Sequence, residues 1–388
     1  MEESQITNKI EKSIIFSAVS WVIVSPAVMY YFKGVSLIAI IANIVFVPAL
    51  SVVTCLSMVA GLLSFSGFGL AHISAKVVYF ILNIYNNITQ NLSENILVYM
   101  NVSKPSLVAV AVIYVFIFAI LLLKEKRNTK IAVTAAFAVF IAVMAVDYAK
   151  SPAEIVFFDA GQGDASAIYI PSRLTAVIDG GPDGGAEKSV IPYLEAKGEK
   201  VDLLFVTHMD DDHVTGAITL MNNDLVMRAV ISDTVHKNEE NLSKFLYAAK
   251  KNDIPVIYAG KGDRFDIGEN CYFECLYPDT GNTDSENNAS LVVRFCYEYT
   301  SFLFTGDIDA NAEKNILSQN IKCDVIKIAH HGSKTSSSEE FIKKTGAETA
   351  VIQASEDNIY GLPDKQVIDL LKKFDMDVYV TGDNGAVV

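Results

Sequence analysis

The sequence has 388 residues, a hydrophobic content of 51% and a formal net charge of −14. This length allows two or three domains, and the uneven distribution of charge argues against a chain that is soluble throughout. Residues 1–150 carry six acidic and ten basic side chains, whereas residues 151–388 carry 39 acidic and 21 basic ones. We therefore predict an apolar membrane domain over 1–150 and an acidic domain over 151–388. The five cysteines form no CxxC pair, so we expect buried thiols or, alternatively, one disulfide.

Four long apolar segments dominate the first part, each near the length of about 20 residues that a membrane-spanning helix needs. They cover residues 13–32, 35–63, 105–123 and 131–148, and a weaker segment covers 69–86. The basic loop 124–130 is typical of the cytoplasmic side of a membrane, so the last span should run outward. We expect a multi-pass cell-membrane protein with four or five helices, whose domain 151–388 lies outside the cytoplasm.

Two residues of the second apolar segment are unusual for the middle of a membrane. Asn43 is polar and Pro48 interrupts helical hydrogen bonding, so both need protein or water around them. They indicate either a kink that serves packing or a break that lines the membrane path.

After residue 151 short β-rich runs alternate with amphipathic helices. Helices are predicted over 187–197, 239–250, 310–317, 338–345 and 364–373, with a further one after 213. Strands are predicted over 202–206, 227–231, 255–258, 323–328 and 349–353, with a β-rich stretch over about 264–305. Two sheets with helices on their outer faces fit this order better than one doubly wound sheet.

Potential metal ligands gather where predicted strands of this second part end. The run T-H-M-D-D-D-H at 207–213 follows the apolar residues 203–206, and its adjacent carboxylates need a positive charge nearby. Its spacing directs ligands from one tight turn towards two neighbouring ions, the ligands being His208, Asp210, Asp212 and His213. Asp211 falls outside this spacing and is expected to point away from the ions.

Two later strands also end in metal-binding residues. The motif F-T-G-D ends at Asp307, which can bridge two ions, and the pair His330 and His331 follows the strand C-D-V-I-K-I. We expect one of these two histidines to complete the site, and the sequence does not choose between them.

In these motifs the sequence resembles the metallo-β-lactamase superfamily, whose signature is HxHxDH followed by a later Asp and His. It resembles more closely the extracytoplasmic domain of the ComEC-like competence proteins, which take up DNA through the membrane. The stretches that carry the resemblance are DAGQGDA (159–165), IDGG (178–181), the 207–213 run, NASL (288–291), TGD (305–307) and HHGS (330–333). The resemblance implies an α-helical membrane domain followed by an αββα sandwich of the metallo-β-lactamase type.

The chain departs from this family in two respects. The family's small N-terminal β-domain and the first half of its membrane helices have no counterpart here, so we expect a fragment or a split homologue with a missing channel half. The family's YGHP-like motif reads N-I-Y-G-L-P here, with Leu362 at the position of the histidine. If that histidine serves catalysis or substrate binding, we expect reduced activity.

The resemblance and the ligand types together imply two divalent metal ions. Asp210 stands where the superfamily usually has histidine, and this hard oxygen ligand favours Mn²⁺ slightly over Zn²⁺. We expect His208 and Asp210 to hold one ion, Asp212 and His213 the other, and Asp307 to bridge them. Asp212, His213 and Asp307 are also the expected catalytic residues. Supporting or substrate-contacting roles are expected for Asp159, Gln162, Asp164, Asp179, Asn288, Ser333, Lys334 and Asn358.

The leading functional hypothesis is a metal-dependent nuclease coupled to DNA import, which degrades the strand that is not transported. Its partners would be DNA, the membrane and other competence proteins. The acidic charge of 151–388 weighs against it, because phosphate affinity normally needs a basic surface. We expect Lys327, Lys334, Lys343 and Lys344 to supply a local basic rim near the second histidine pair. The alternatives are an extracytoplasmic phosphoesterase acting on an envelope polymer, and a transport or structural protein with a non-catalytic domain. His72 is expected to be packed or interfacial, and His236 to lie on the surface.

Overall fold

The computed structural model describes residues 2–32, 34–36, 39–64, 70–93, 99–101, 105–121, 152–234, 236–279 and 284–388. The chain divides into two units. One comprises Met1–Tyr148 with Glu195–Gly198, and the other comprises Ala149–Leu194 with Glu199–Val388.

The described part of the first unit is mainly helical. Its helices are α1 (Glu2–Phe32), α2 (Ala39–Ser64), α3 (Leu70–Ser93) and α4 (Leu107–Leu121), and the short strands β1 (Gly34–Ser36) and β2 (Tyr99–Asn101) pair antiparallel. α2 packs against α1 and α3, and α1 also contacts α4. The indole N–H of Trp21 donates a hydrogen bond of 2.8 Å to the carbonyl oxygen of Ser36, which ties α1 to β1.

The membrane spans predicted for this unit are not confirmed. Among the helices that the structure describes, none combines the length and the apolar character that crossing a membrane requires. The predicted segment 131–148 lies outside the described residues. Asn43 and Pro48 both lie in α2, where the Asn43 side chain is exposed.

Two β-sheets form the centre of the second unit. In spatial order the first sheet contains β3 (Glu154–Phe157), β4 (Ala165–Ile170), β5 (Leu174–Gly180), β6 (Leu203–Val206), β7 (Ala229–Ser232) and β8 (Val256–Ala259). The second sheet contains β9 (Arg264–Gly268), β10 (Cys271–Tyr277), β11 (Val292–Tyr297), β12 (Thr300–Phe304), β13 (Val325–Lys327), β14 (Thr349–Ile352) and β15 (Asp377–Val380). In each sheet the early strands are antiparallel and the last four are parallel.

Helices cover the outer face of each sheet. The first sheet carries α5 (Gly185–Lys188), α6 (Val190–Lys197), α7 (Asp211–Asn222) and α8 (Glu239–Lys251). The second carries α9 (Ala310–Ile316), α10 (Glu339–Thr345) and α11 (Lys365–Lys373), and the short α12 (Thr381–Asn384) follows β15. The predicted αββα sandwich is therefore confirmed.

Strand β6 shows why the sequence folds into these layers. Its four residues are all apolar and buried, as in a parallel strand that is covered on both faces. Leu203 and Phe205 point into the core between the sheets, whereas Leu204 and Val206 point into the core beneath the helices. Between the sheets the ring of Phe205 lies 4.8 Å from that of Phe273 on β10, centroid to centroid.

Candidate metal centre

The loop after β6 brings the first group of metal-binding side chains together. Asp210 has an extended backbone (φ −76°, ψ 150°) and occupies the N-cap position of α7. The amides of His213 and Val214 each donate a 3.0 Å hydrogen bond to its carbonyl oxygen. The helix therefore starts at Asp211, earlier than predicted, and its first turn carries Asp212 and His213.

Helix α7 reaches its position because two glycines let it approach the sheet. A Cβ at Gly180 would lie 2.0 Å from the amide nitrogen of Ala217, and one at Gly216 would lie 1.9 Å from the carbonyl oxygen of Gly180. Real side chains do not tolerate such distances, so the pair fixes how closely α7 packs on β5. Asp212 and His213 are thereby held near the strand ends.

Asp179 and Thr207 orient His213. The amide and the hydroxyl of Thr207 donate to the Asp179 carboxylate at 2.7 and 2.8 Å. The His213 Nδ1–H donates to the same carboxylate at 2.9 Å, which turns Nε2 towards the centre of the cluster. Such a carboxylate behind an imidazole is the usual support of a metal-binding histidine.

The Nε2 atoms of His208 and His213 are the part of the cluster that best fits a metal ion. Both rings are fully buried, and within the described residues neither Nε2 atom has a hydrogen-bond partner. His208 Nδ1 lies 3.1 Å from the Thr207 hydroxyl and 3.3 Å from that of Ser290. Because buried polar atoms are normally satisfied, two converging imidazole nitrogens of this kind fit a metal ion.

The second sheet contributes Asp307. The residue before it, Gly306, has a φ of +51°, and a Cβ there would lie 2.8 Å from Ser290. The Asp307 amide donates to the Ser290 hydroxyl at 3.1 Å. Its Oδ2 atom lies 3.5 Å from His213 Nε2 and 3.4 Å from His331 Nε2, so one carboxylate oxygen faces both histidines.

Of the two adjacent histidines, the structure brings His331 into the cluster. Its Nδ1–H donates to the carbonyl oxygen of Gln353 at 2.8 Å, and its Nε2 lies 3.1 Å from Asp212 Oδ2. His330 points elsewhere, with Nε2 3.5 Å from the Asn287 side-chain nitrogen and Nδ1 3.4 Å from the Thr335 hydroxyl.

Three overlapping donor sets result, and they share His213. In each set the candidate ligand atoms lie within 4.8 Å of one another; the sets are His208, His213 and Asp307, then Asp212, His213 and His331, and lastly Asp164, Asp179 and His213. Asp210 Oδ2 lies 3.5 Å from His208 Nε2, beside the first set. Asp211 accepts a hydrogen bond of 2.8 Å from Asn241 and is not a member of any of the three. Mixed nitrogen and oxygen donors of this kind suit divalent ions.

Electrostatics also indicate a need for positive charge. Burial alone would lower the pKa of His213 and His331, but nearby carboxylates, Asp307 foremost, raise both pKa values well above the ordinary range. Burial alone would raise the pKa of Asp307, but His331 and His213 hold it well below its usual value. The buried carboxylates and histidines of this cluster therefore stabilise one another's charged forms.

Lys327 is buried beside this cluster, contrary to its expected place in a basic rim. It is 2% exposed, its ammonium group pairs with Asp164, and it lies 3.5 Å from Asp307 Oδ1. Burial would lower its pKa, but Asp164 and Asp307 raise it, so Lys327 stays charged. The pairing of Lys327 with Asp164 could not be predicted from the sequence. Lys327 ends an otherwise apolar strand, and next to a charged loop it reads as a surface residue.

Glu286 was not identified from the sequence, although it holds the back of the ligand loop. Its carboxylate accepts from the amides of Met209 (2.8 Å), Lys237 and Asn238 (3.0 Å), and from His236 Nδ1 at 2.8 Å. Burial raises its pKa, but these hydrogen bonds, His236 foremost, bring it down to about 2. The prediction that His236 lies on the surface is wrong, because the residue is 5% exposed and bonded to Glu286.

The remaining predicted residues take supporting positions. Asp164 and Asp179 are buried in the cluster, whereas Asp159 and Lys334 are exposed. The others shape neighbouring loops: Gln162 accepts from the Ser355 amide, Asn288 from the Asp309 amide and Asn358 from the Leu362 amide, while Ser333 bonds to Thr335. His72 is exposed on α3.

Both units of the chain match known protein families. Residues 2–127 match the sequence model described as competence protein, and residues 159–355 match that of the metallo-beta-lactamase superfamily. ComE operon protein 3 of Bacillus subtilis is 30% identical over 387 residues, covering 93% of this chain and 49% of that protein. Competence protein ComA of Neisseria gonorrhoeae is 25% identical over 251 residues, covering 61% and 32%. The chain thus spans about half or less of the length of these relatives.

Among solved structures, the chain matches the metallo-beta-lactamase fold protein YhfI from Bacillus subtilis. It has a TM-score of 0.40 and 12% sequence identity, and the match covers 59% of this chain and 96% of YhfI.

Proposed function

Because this chain belongs to the metallo-beta-lactamase superfamily and carries a competence-protein domain before that fold, we propose that its second unit is a metal-dependent nuclease. In this proposal the enzyme cleaves phosphodiester bonds of DNA and degrades the strand that is not transported. The first unit serves DNA uptake at the membrane, in contact with other competence proteins.

The observation that carries the proposal is the convergence of donors from both sheets. Asp212 and His213 follow β6 of the first sheet, whereas Asp307 and His331 follow β12 and β13 of the second. The His331 Nε2 atom lies within 3.4 Å of a carboxylate oxygen of both Asp212 and Asp307. Four buried or half-buried side chains that converge from separate strand ends form a binding site, whereas the side chains of an acidic surface would lie in solvent.

We assign the donors to two divalent ions, with Mn²⁺ slightly preferred over Zn²⁺ because oxygen ligands are numerous. His208, Asp210 and Asp307 would hold one ion, and Asp212, His213 and His331, with Asp307 beside them, would hold the other. Bound ions would supply Lewis-acid chemistry by polarising the phosphodiester and activating water. The chain's own residues fix the geometry: Asp179 orients His213 and Gln353 orients His331.

The first unit carries exposed apolar side chains that support a place at the membrane. Phe16, Leu62 and Phe80 are 74%, 72% and 65% exposed. Soluble proteins rarely leave many large apolar side chains in water, so this surface is suited to lipid or to partner proteins.

The test uses the full chain, purified in detergent and stripped of metal. We expect cleavage of labelled single-stranded DNA on addition of Mn²⁺ and none in EDTA. Asp212→Asn and His213→Gln should lower cleavage to the level seen in EDTA, because each removes a ligand of the second ion.

The neighbouring carboxylate supplies a matched control. Asp211→Asn should keep the wild-type metal content, since Asp211 is bonded to Asn241 and lies outside the donor sets. Cleavage that persists in both Asp212→Asn and His213→Gln would show that these residues do not form the active site. A wild-type chain that takes up no Mn²⁺ or Zn²⁺ would instead favour a non-catalytic transport role.

A further inference from the structure

A groove leads away from the metal cluster between helices α7 and α8. The two helices run in the same direction. Asn241 bonds to Asp211 at their N-terminal ends (2.8 Å), and Asn252 bonds to Asn222 at their C-terminal ends (3.4 Å). The groove has a volume of about 680 Å³ and includes Asp212, which also belongs to the metal cluster. With 12 residues, α7 gives the groove a wall about 18 Å long.

One stripe of α8 gives the groove an aromatic and basic wall. Lys244, Tyr247 and Lys251 stand at i, i+3 and i+7 along the helix and line the groove, while Phe245 packs into the core. The Tyr247 side chain is 70% exposed. The ring is therefore accessible to a ligand that enters the groove.

Charge changes sign along the groove. Asp183 and Asp212 line the end at the metal cluster, where divalent ions would offset them, and Lys251 lies at the far end, in the last turn of α8. Lys244 pairs with Glu240 at 2.7 Å, but both side chains are more than half exposed, at 56% and 79%. Exposed pairs of this kind contribute little, so Lys244 can turn to a phosphate.

We propose that this groove binds single-stranded DNA, with a base stacked on Tyr247 and backbone phosphates near Lys244 and Lys251. The proposal rests on the proposed nuclease function, since the groove opens at Asp212. Aromatic rings flanked by lysines are the usual platform for single strands, because every base offers a face for stacking. In a duplex these faces are already stacked on each other, so the groove discriminates against double-stranded DNA.

The test measures binding separately from cleavage. The affinity of the full chain for a fluorescent oligothymidine is measured by anisotropy in EDTA, where no cleavage occurs. Tyr247→Ala should weaken binding between about 5-fold and 100-fold, the range of one base–aromatic contact, and Tyr247→Phe should restore it. Lys251→Gln should lower the slope of log affinity against log salt by about 0.7, as for one lost phosphate contact on a single strand.

A second exposed tyrosine serves as the control. Tyr299 is 98% exposed at the turn between β11 and β12, so Tyr299→Ala should leave the affinity unchanged. Three results would each contradict the proposal. The first is an equal loss of affinity in Tyr247→Ala and Tyr299→Ala, and the second is equally tight binding of duplex DNA. The third is no loss of affinity in Tyr247→Ala, which is also the result expected if the groove binds a partner protein instead. Binding lost in Tyr247→Ala without any Mn²⁺-dependent cleavage would support the groove and count against the nuclease.

Discussion

His330 and His331 are neighbours in the sequence, yet their rings occupy different environments. Both residues have positive φ angles, +51° and +52°, in the turn after β13. Side chains on such a left-handed turn diverge, and only His331 is oriented towards Asp212 by Gln353. No spacing rule distinguishes the two, because the choice depends on left-handed backbone angles that are uncommon outside glycine and do not follow from the residue spacing.

This divergence predicts different metal contents for two variants. His331→Ala should lose at least one bound ion per chain, because it removes a donor of the second ion. His330→Ala should retain the wild-type content, since its ring faces Asn287 and Thr335. Mass spectrometry of metal bound to the purified full chain measures both. Equal loss in the two variants would show that His330 is a ligand.

The candidate ligands of the 207–213 run can be recognised from the sequence, but the residues that support them cannot. His208, Asp210, Asp212 and His213 follow from spacing within one turn. Glu286 and Lys327 act only through contacts with residues far away in the chain, and neither belongs to a local pattern. Their burial could be recognised only once both sheets were in place.

At the scale of elements, Glu286 joins the ligand loop to the start of α8. It accepts from the amide of Met209, between His208 and Asp210, and from the amide of Asn238, the N-cap of α8. It therefore holds two segments that come together only in the folded unit.

The low pKa of Glu286 predicts a pH-dependent stability. Folding lowers this pKa from 4.5 to about 2, so the charged carboxylate stabilises the fold above about pH 4.5. The contribution is lost as pH falls through about 2. At neutral pH Glu286→Gln should be less stable by about 1–3 kcal/mol, the cost of weakened hydrogen bonds to a buried charge.

Thermal unfolding of the full chain, in EDTA from about pH 7 to about pH 3, tests this dependence. The difference in unfolding temperature between the wild type and Glu286→Gln should become smaller as the pH falls. Glu356→Gln, at an exposed position, is the control. A difference in unfolding temperature that stays constant or grows in acid would contradict the stabilising role of the Glu286 carboxylate.

At the scale of the whole molecule, the αββα sandwich could be predicted from the order of strands and helices. The membrane spans, which were predicted from hydropathy, are not confirmed. Alternating β-runs and helices specify layers, because each apolar face needs a partner. Hydropathy, by contrast, reports average apolar content, whereas a membrane span needs one continuous helix of sufficient length. Of the predicted segments, 105–123 overlaps α4, whose described residues are Leu107–Leu121.

The predicted sidedness can be tested with one engineered thiol. Four cysteines are buried and Cys55 is exposed, so Cys55→Ser combined with Tyr299→Cys leaves one accessible thiol, on the second unit. If this unit lies outside the cytoplasm, a membrane-impermeant maleimide should label intact cells. Cys55→Ser alone should remain unlabelled. Labelling that requires cell lysis would place the unit inside.

The contribution of ligands by both sheets has a consequence for the lifetime of the protein. An ion held by Asp212 and His213 of the first sheet and by Asp307 and His331 of the second would link the two sheets. By mass action, a free ion at 100 times its dissociation constant adds about 2.7 kcal/mol to folding. Scarcity of the ion would then open the unit to proteases, so the supply of metal would govern how much of the protein survives as well as how fast it works.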